Sequence, residues 1–129
     1  MINKKVLLDS NILIAFFRRE DVHHKKVIEF LSKLDGFCIS EHVLFEIGTV
    51  LLLKEGAEIS KQFIDFLNNS ENIEIVNLLL DEFSQIVNNF PYQRTKLSMV
   101  DLSLLIVSKN RNFELFSFDK ELMEVYKKF

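Results

Sequence analysis

Cysteine is almost missing from this 129-residue chain. The one present, Cys38, cannot close an internal disulfide. In the apolar stretch Phe37–Ile39 it reads as a small buried hydrophobe. A reducing, cytoplasmic setting is the expectation. Proline occurs once and glycine three times. No glycine-rich phosphate loop of either standard kind is present, which argues against a nucleotide-driven motor or a dinucleotide-dependent dehydrogenase. No uncharged run approaches the roughly 20 residues that a bilayer crossing needs, so no membrane partner is expected. The chain passes from Met1-Ile2-Asn3-Lys4-Lys5 straight into a strand-like run, and no secretion signal is expected. Cysteine and histidine do not cluster at zinc spacing. Excess positive charge is also lacking. The net charge of −3 and pI near 5.6 weigh against a general nucleic-acid-binding surface. That sum counts acidic groups before any metal is bound, and two divalent ions would carry it to about +1.

What is there belongs to a globular protein. Hydrophobic residues make up 48% and charged residues 27%, a balance that excludes disorder. Thirteen phenylalanines suit a compact, helix-rich core. The length fits a single domain over residues 1–129.

Periodicity divides the chain into alternating elements. Strands are expected at Lys5–Leu8, Phe37–Ser40, Ile73–Val76 and Phe113–Phe118. Helices are expected at Asn11–Arg18, His23–Leu34, Glu41–Lys54, Ile59–Leu67, Leu79–Phe90, Ser98–Lys109 and Lys120–Lys128. Gly36 and Gly56 read as stops, and Pro91 ends the fifth helix. The nearly all-apolar Ser98–Lys109 helix should be central. Alternation of this kind predicts an α/β/α sandwich around a mainly parallel sheet of about four to five strands. Ligands in such folds gather outside the carboxyl ends of the strands.

Four carboxylates stand in apolar surroundings. Asp9 is the only charge in Val6–Phe17, Glu46 in Val43–Leu53, and Asp101 in Leu97–Ser108; Asp119 closes the run Leu115–Phe118. Such segments are expected to be buried, and an isolated buried carboxylate is costly unless paired or metal-bound. No lysine or arginine lies within the first three runs. If the four meet, a divalent cation is the economical partner. Hard ions such as Mg²⁺ take oxygen ligands, and a site of three or four carboxylates suits one or two ions. The chemistry this arrangement serves is phosphodiester hydrolysis. Each acid also has a structural role open to it. Asp9 and Asp119 can cap helices, Ser98-x-x-Asp101 resembles a capping box, and Glu46 can pair with a distant lysine.

Ser10 and Ser117 flank two of the acids and are candidates to orient them. Arg18-Arg19 and the basic segment Tyr92–Lys96, with Arg94 and Lys96, are candidates to hold an RNA backbone. His23-His24 opens an amphipathic helix and reads as solvated. Gly48, inside a strong helix, points to close helix packing.

The pieces Leu8-Asp9-Ser10-Asn11, Ser40–Glu46, Leu97–Asp101 and Ser117-Phe118-Asp119-Lys120 resemble, in order and spacing, those of PIN-domain proteins, and most of all the small VapC-type toxin ribonucleases. The resemblance covers nearly the whole chain. It implies a Mg²⁺- or Mn²⁺-dependent endoribonuclease, the toxin of a type II toxin–antitoxin pair. It maps the metal-binding acids onto Asp9, Glu46, Asp101 and Asp119, with Ser10, Asn11 and Ser117 in support. It implies an RNA substrate, a homodimer and a cognate antitoxin. Glu41 competes with Glu46 by spacing; Glu46 is preferred because its neighbours are apolar. The alternatives are a PIN-type RNA-processing nuclease without antitoxin, and a PIN-like module that binds RNA or protein without cutting.

Overall fold

The computed structural model describes residues 4–129. Met1–Asn3, part of the leader reading above, lie outside the described residues. Strand β1 (Val6–Leu8) is followed by helices α1 (Ser10–Phe17) and α2 (His24–Ser32). Strand β2 (Phe37–Ser40) leads into α3 (Glu41–Glu55) and α4 (Ala57–Asn69). Strand β3 (Ile73–Val76) leads into α5 (Leu80–Asn89) and a 3-10 turn, Phe90–Tyr92. Helix α6 (Met99–Arg111), strand β4 (Glu114–Phe116) and helix α7 (Lys120–Lys128) complete the order.

All strand pairings are parallel, in the order β3-β2-β1-β4. The expected α/β/α arrangement is what forms, with four strands. β1 is central and wholly buried, because every one of its side chains is apolar and both faces are covered. The chain moves outward from β1 through β2 to β3, then returns to the other side of β1 as β4. The strand order therefore reverses between β1 and β4, and ligands of such sheets gather at the carboxyl ends beside that point.

Helix α6 is the buried helix its composition predicts, with Leu102–Ser108 all inaccessible. Strand β4 is shorter than expected. Asn112 takes a left-handed conformation (φ 56°) that ends α6, and the Phe113 N–H goes back to the Ser108 carbonyl. At the other end Ser117 and Phe118 leave the ladder to bond across to α1. Gly36 does not stop α2, which ends four residues earlier. Its place is set by a close approach: a Cβ there would lie 2.5 Å from the Asn72 carbonyl oxygen, which accepts the Phe37 N–H. A Cβ added at Gly48 would lie 3.8 Å from Phe63, an ordinary contact, so close packing does not account for the glycine. Cys38 is buried, and desolvation together with the Glu74 carboxylate pushes its thiol up to about 11, so it stays protonated. Among the described residues no helix is long and apolar enough to cross a membrane.

Candidate functional site

Three of the four acids sit where a strand or loop hands over to a helix. Asp9 ends β1 and caps α1, accepting the Ser10 N–H at 2.7 Å. Asp119 follows β4 and caps α7, accepting the Leu122 N–H at 3.1 Å. Asp101 lies in the first turn of α6. Its carboxylate accepts the Ser98 N–H at 3.2 Å while the Ser98 hydroxyl accepts the Asp101 N–H at 3.0 Å, a reciprocal capping box. The structural roles open to these residues are all realised. They do not exhaust the carboxylates: Asp101 uses only Oδ2 and Asp119 only Oδ1 in these bonds.

Ser117 ties the ends of β1 and β4 together. Its hydroxyl donates to Asp9 Oδ2 at 2.7 Å and accepts from Asn11 Nδ2 at 3.1 Å and the Asp119 N–H at 3.0 Å. Asn11 Oδ1 then accepts the Phe118 N–H at 3.2 Å. Asn11 thus holds the Ser117–Phe118 segment against α1.

The expectation that all four acids are buried needs correction. Asp9 is buried, at 6% exposure, while Asp101 and Asp119 are half-buried and Glu46 is exposed. Helix α3 explains the difference. Val43, Ile47 and Leu51 face the core, whereas the apolar neighbours Phe45, Leu52 and Leu53 face outward beside Glu46. An apolar segment is not a buried one when three of its eight apolar side chains are exposed.

Electrostatics nonetheless link the four. Burial pushes the Asp9 carboxyl above its ordinary value, the Ser117 and Ser10 bonds oppose this, and the charges of Asp101 and Asp119 add to it. Glu46 is also raised, first by partial desolvation and then by Asp9 and Asp101. No described lysine or arginine forms an ion pair with any of the four. Near them, Ser40 ends β2 at the same sheet edge with a buried hydroxyl that has no hydrogen-bond partner.

Among the described residues, no three His, Cys, Asp or Glu side chains stand close enough to hold one ion together. The donor set still fits a hard cation. It offers only oxygen ligands, carries surplus negative charge and has spare lone pairs. Mg²⁺ commonly takes one or two carboxylates and keeps its waters, so it needs no closed cage.

The basic candidates divide. Arg18 lies at the far end of α1 from Asp9 and is paired with Glu55 at 2.9 Å. Arg19 is exposed beyond it. Arg94 and Lys96 are exposed on the loop that leads into α6, and the Lys96 N–H donates to Glu121.

Sequence reasoning missed four features. His23 is not simply solvated: its ring lies on that of Phe118, with centroids 3.9 Å apart and planes 14° from parallel. The His24 ring nitrogen Nδ1 bonds to the Ala15 carbonyl at 2.8 Å. His42 Nε2 donates to the Ser103 hydroxyl at 2.9 Å, since that hydroxyl itself donates to the Val100 carbonyl. Burial holds this imidazole below its ordinary pKa, with Glu41 opposing. Finally, Glu82 and Arg111 form a buried ion pair. Only the last had a signal in the sequence, a lone arginine ending an apolar helix.

No curated protein matches the chain in sequence. Solved structures share its fold at low identity. VapC20 of Mycobacterium tuberculosis, a Sarcin-Ricin loop cleaving toxin, superposes with a TM-score of 0.83 at 18% identity, over 94% of this chain and 95% of its own. FitAcB of Neisseria gonorrhoeae gives 0.68 at 14% identity, over 95% and 93%. A toxin–antitoxin complex from Klebsiella pneumoniae gives 0.61 at 20% identity, over 88% and 85%. With the sheet order, the acids at its switch point and a match to the PIN domain over residues 6–128, the chain belongs to the PIN-domain family.

Proposed function

We propose that this protein is a Mg²⁺- or Mn²⁺-dependent endoribonuclease and the toxin of a type II toxin–antitoxin pair. One observation carries the reading. A buried aspartate, Asp9, carries a raised pKa beside Asp101 and Asp119, and among the described residues no cationic side chain pairs it. Asp9 and Asp101 would hold the ion, Asp119 would complete the site through water, and Glu46 would ligate the ion or position its bound water. A bound divalent ion supplies charge stabilisation to a phosphodiester and lowers the pKa of water. Ser117 fixes the Asp9 carboxylate through its 2.7 Å bond, and Asn11 fixes Ser117. Arg94 and Lys96, exposed on the loop that leads into α6, would meet phosphates.

The toxin assignment draws on the likeness to VapC20 and to a toxin–antitoxin complex. An antitoxin partner and a homodimer both have apolar surface to use. Phe45, Leu52 and Leu53 are exposed on α3, and Leu79, Leu80 and Phe83 around the start of α5. A cytoplasmic location accords with the protonated lone thiol.

A second reading, a PIN-like module that binds without cutting, is favoured by the lack of three acids within common reach of an ion among the described residues. One experiment separates the two: purified protein is incubated with a mixed RNA pool in Mn²⁺, in EDTA, and with Asp9→Asn in place of the native chain. Cleavage lost in EDTA and in the variant is expected. Cleavage by folded Asp9→Asn and Asp101→Asn at the native rate would refute the site. Absence of both cleavage and Mn²⁺ binding would establish the second reading.

A further inference from the structure

We propose that His23, stacked on Phe118, is a base-binding subsite that positions the RNA strand beside the acids. This rests on the ribonuclease reading above. Phe118 packs against the main hydrophobic core, and the His23 ring lies flat on it with centroids 3.9 Å apart. Both rings are half-buried, and the neighbouring Val22 is almost fully exposed. The stack is joined directly to the acids. Phe118 lies between Ser117, which donates to Asp9, and Asp119. Its own N–H is held by Asn11.

The platform is also fixed in advance. The His23 N–H donates to Asp21 Oδ1 at 2.8 Å, and the His23 carbonyl accepts the Val27 N–H at 2.9 Å. The next ring, His24, is anchored on the Ala15 carbonyl. Little ordering remains to be done when a flat ligand arrives. A nucleobase extends an aromatic stack whatever its identity, because every base has a π-face. Such a contact needs no positive charge. That matters in a chain of net charge −3 whose Arg18 is already committed to Glu55.

The test compares three substitutions at one position. His23→Phe keeps a flat ring, His23→Leu keeps apolar bulk without one, and His23→Trp adds a fluorophore to a chain that has no tryptophan. The probe is a 2′-O-methyl oligoribonucleotide, which resists cleavage, labelled for anisotropy. Native protein and His23→Phe should bind alike, and His23→Leu should bind about 5- to 100-fold more weakly. On cleavable RNA the loss should fall on KM, with kcat kept. Tryptophan fluorescence should be quenched by the oligonucleotide and not by one carrying abasic residues. Native affinity in His23→Leu, or unquenched tryptophan while anisotropy reports a bound strand, would overturn the proposal. A melting temperature lower in His23→Leu than in His23→Phe, with equal affinity, would mark the stack as packing only. Native protein that neither binds nor cuts RNA would remove the ribonuclease reading itself, a different result from a bound strand that ignores His23.

Discussion

Removing the guanidinium of Arg111 should cost this fold more than any surface substitution. Glu82 opens α5 with a side chain only 1% exposed, and Arg111 ends α6 with a side chain 24% exposed. Arg111 Nε donates to Glu82 Oε2 at 2.9 Å, and Nη2 donates both to Glu82 Oε1 and, at 2.7 Å, to the Asn77 carbonyl. Glu82 also accepts the Leu79 N–H at 2.9 Å. The pair thus pins two helices to each other and to the turn before them. In Arg111→Met the aliphatic stem survives, but the carboxylate stays buried with one backbone donor. Breaking such a pair from one side costs roughly 3–5 kcal/mol when both partners are buried. Arg111 is partly solvated, which lowers the expected loss to about 2–4 kcal/mol. For a chain of this size each kcal/mol moves the melting temperature by about 3–5 °C, giving a fall of roughly 6–20 °C.

The double variant Arg111→Met/Glu82→Gln should recover part of that loss, because the glutamine keeps an acceptor for Leu79 and buries no charge. Acidity supplies an independent check. The Arg111 hydrogen bonds hold Glu82 below its ordinary value of 4.5. A depressed folded pKa gives stability that is present above 4.5 and lost as pH falls through the folded value. The gap between native protein and Arg111→Met should therefore be full at pH 7 and narrow as pH falls below 4.5. Urea melts at both pH values measure it. A loss under 1 kcal/mol at neutral pH, or a double variant no more stable than Arg111→Met, would refute the reasoning.

Mn²⁺ should raise the melting temperature of the native protein, by about 2.7 kcal/mol of stability at a hundred times its Kd, and much less in Asp9→Asn; no shift at millimolar Mn²⁺ would count against the metal site. Gly48→Ala should stabilise by about 0.5–1 kcal/mol, since the added methyl meets only ordinary contact with Phe63; a lower urea midpoint would show that the contact is tighter than its 3.8 Å implies. Gly36→Ala should destabilise by about 2 kcal/mol or more, because a Cβ 2.5 Å from a backbone oxygen forces the start of β2 away from Asn72; native stability in that variant would show that the backbone yields freely.

The alternation of strand and helix was legible because strands and helices carry different apolar periods. Ser98-x-x-Asp101 announced the start of α6 through capping chemistry that is local in the chain. The order of the strands was not so written, since the return of β4 to the side of β1 depends on long-range pairing. The acids stood out in the sequence by their apolar neighbours, but the same rule misjudged the burial of Glu46. Phe45 and Leu53 are exposed on the helix that carries it, and a sequence does not distinguish an apolar residue that faces the core from one that awaits a partner. The His23–Phe118 stack joins residues far apart in the chain, with no local pattern to betray it.

The Ser117 bond to Asp9 spans 108 positions in the chain. At a synthesis rate of roughly 5–20 residues per second, about 5–20 s separate the making of the two residues. Throughout that interval β1 has no neighbour on the side that β4 will fill, and Asp9 lacks the hydroxyl that fixes it. A nascent chain therefore cannot complete its site while β1 to α6 fold alone. The topology acts as a clock: the Ser117 bond that fixes Asp9 can form only after nearly all of the chain has been made.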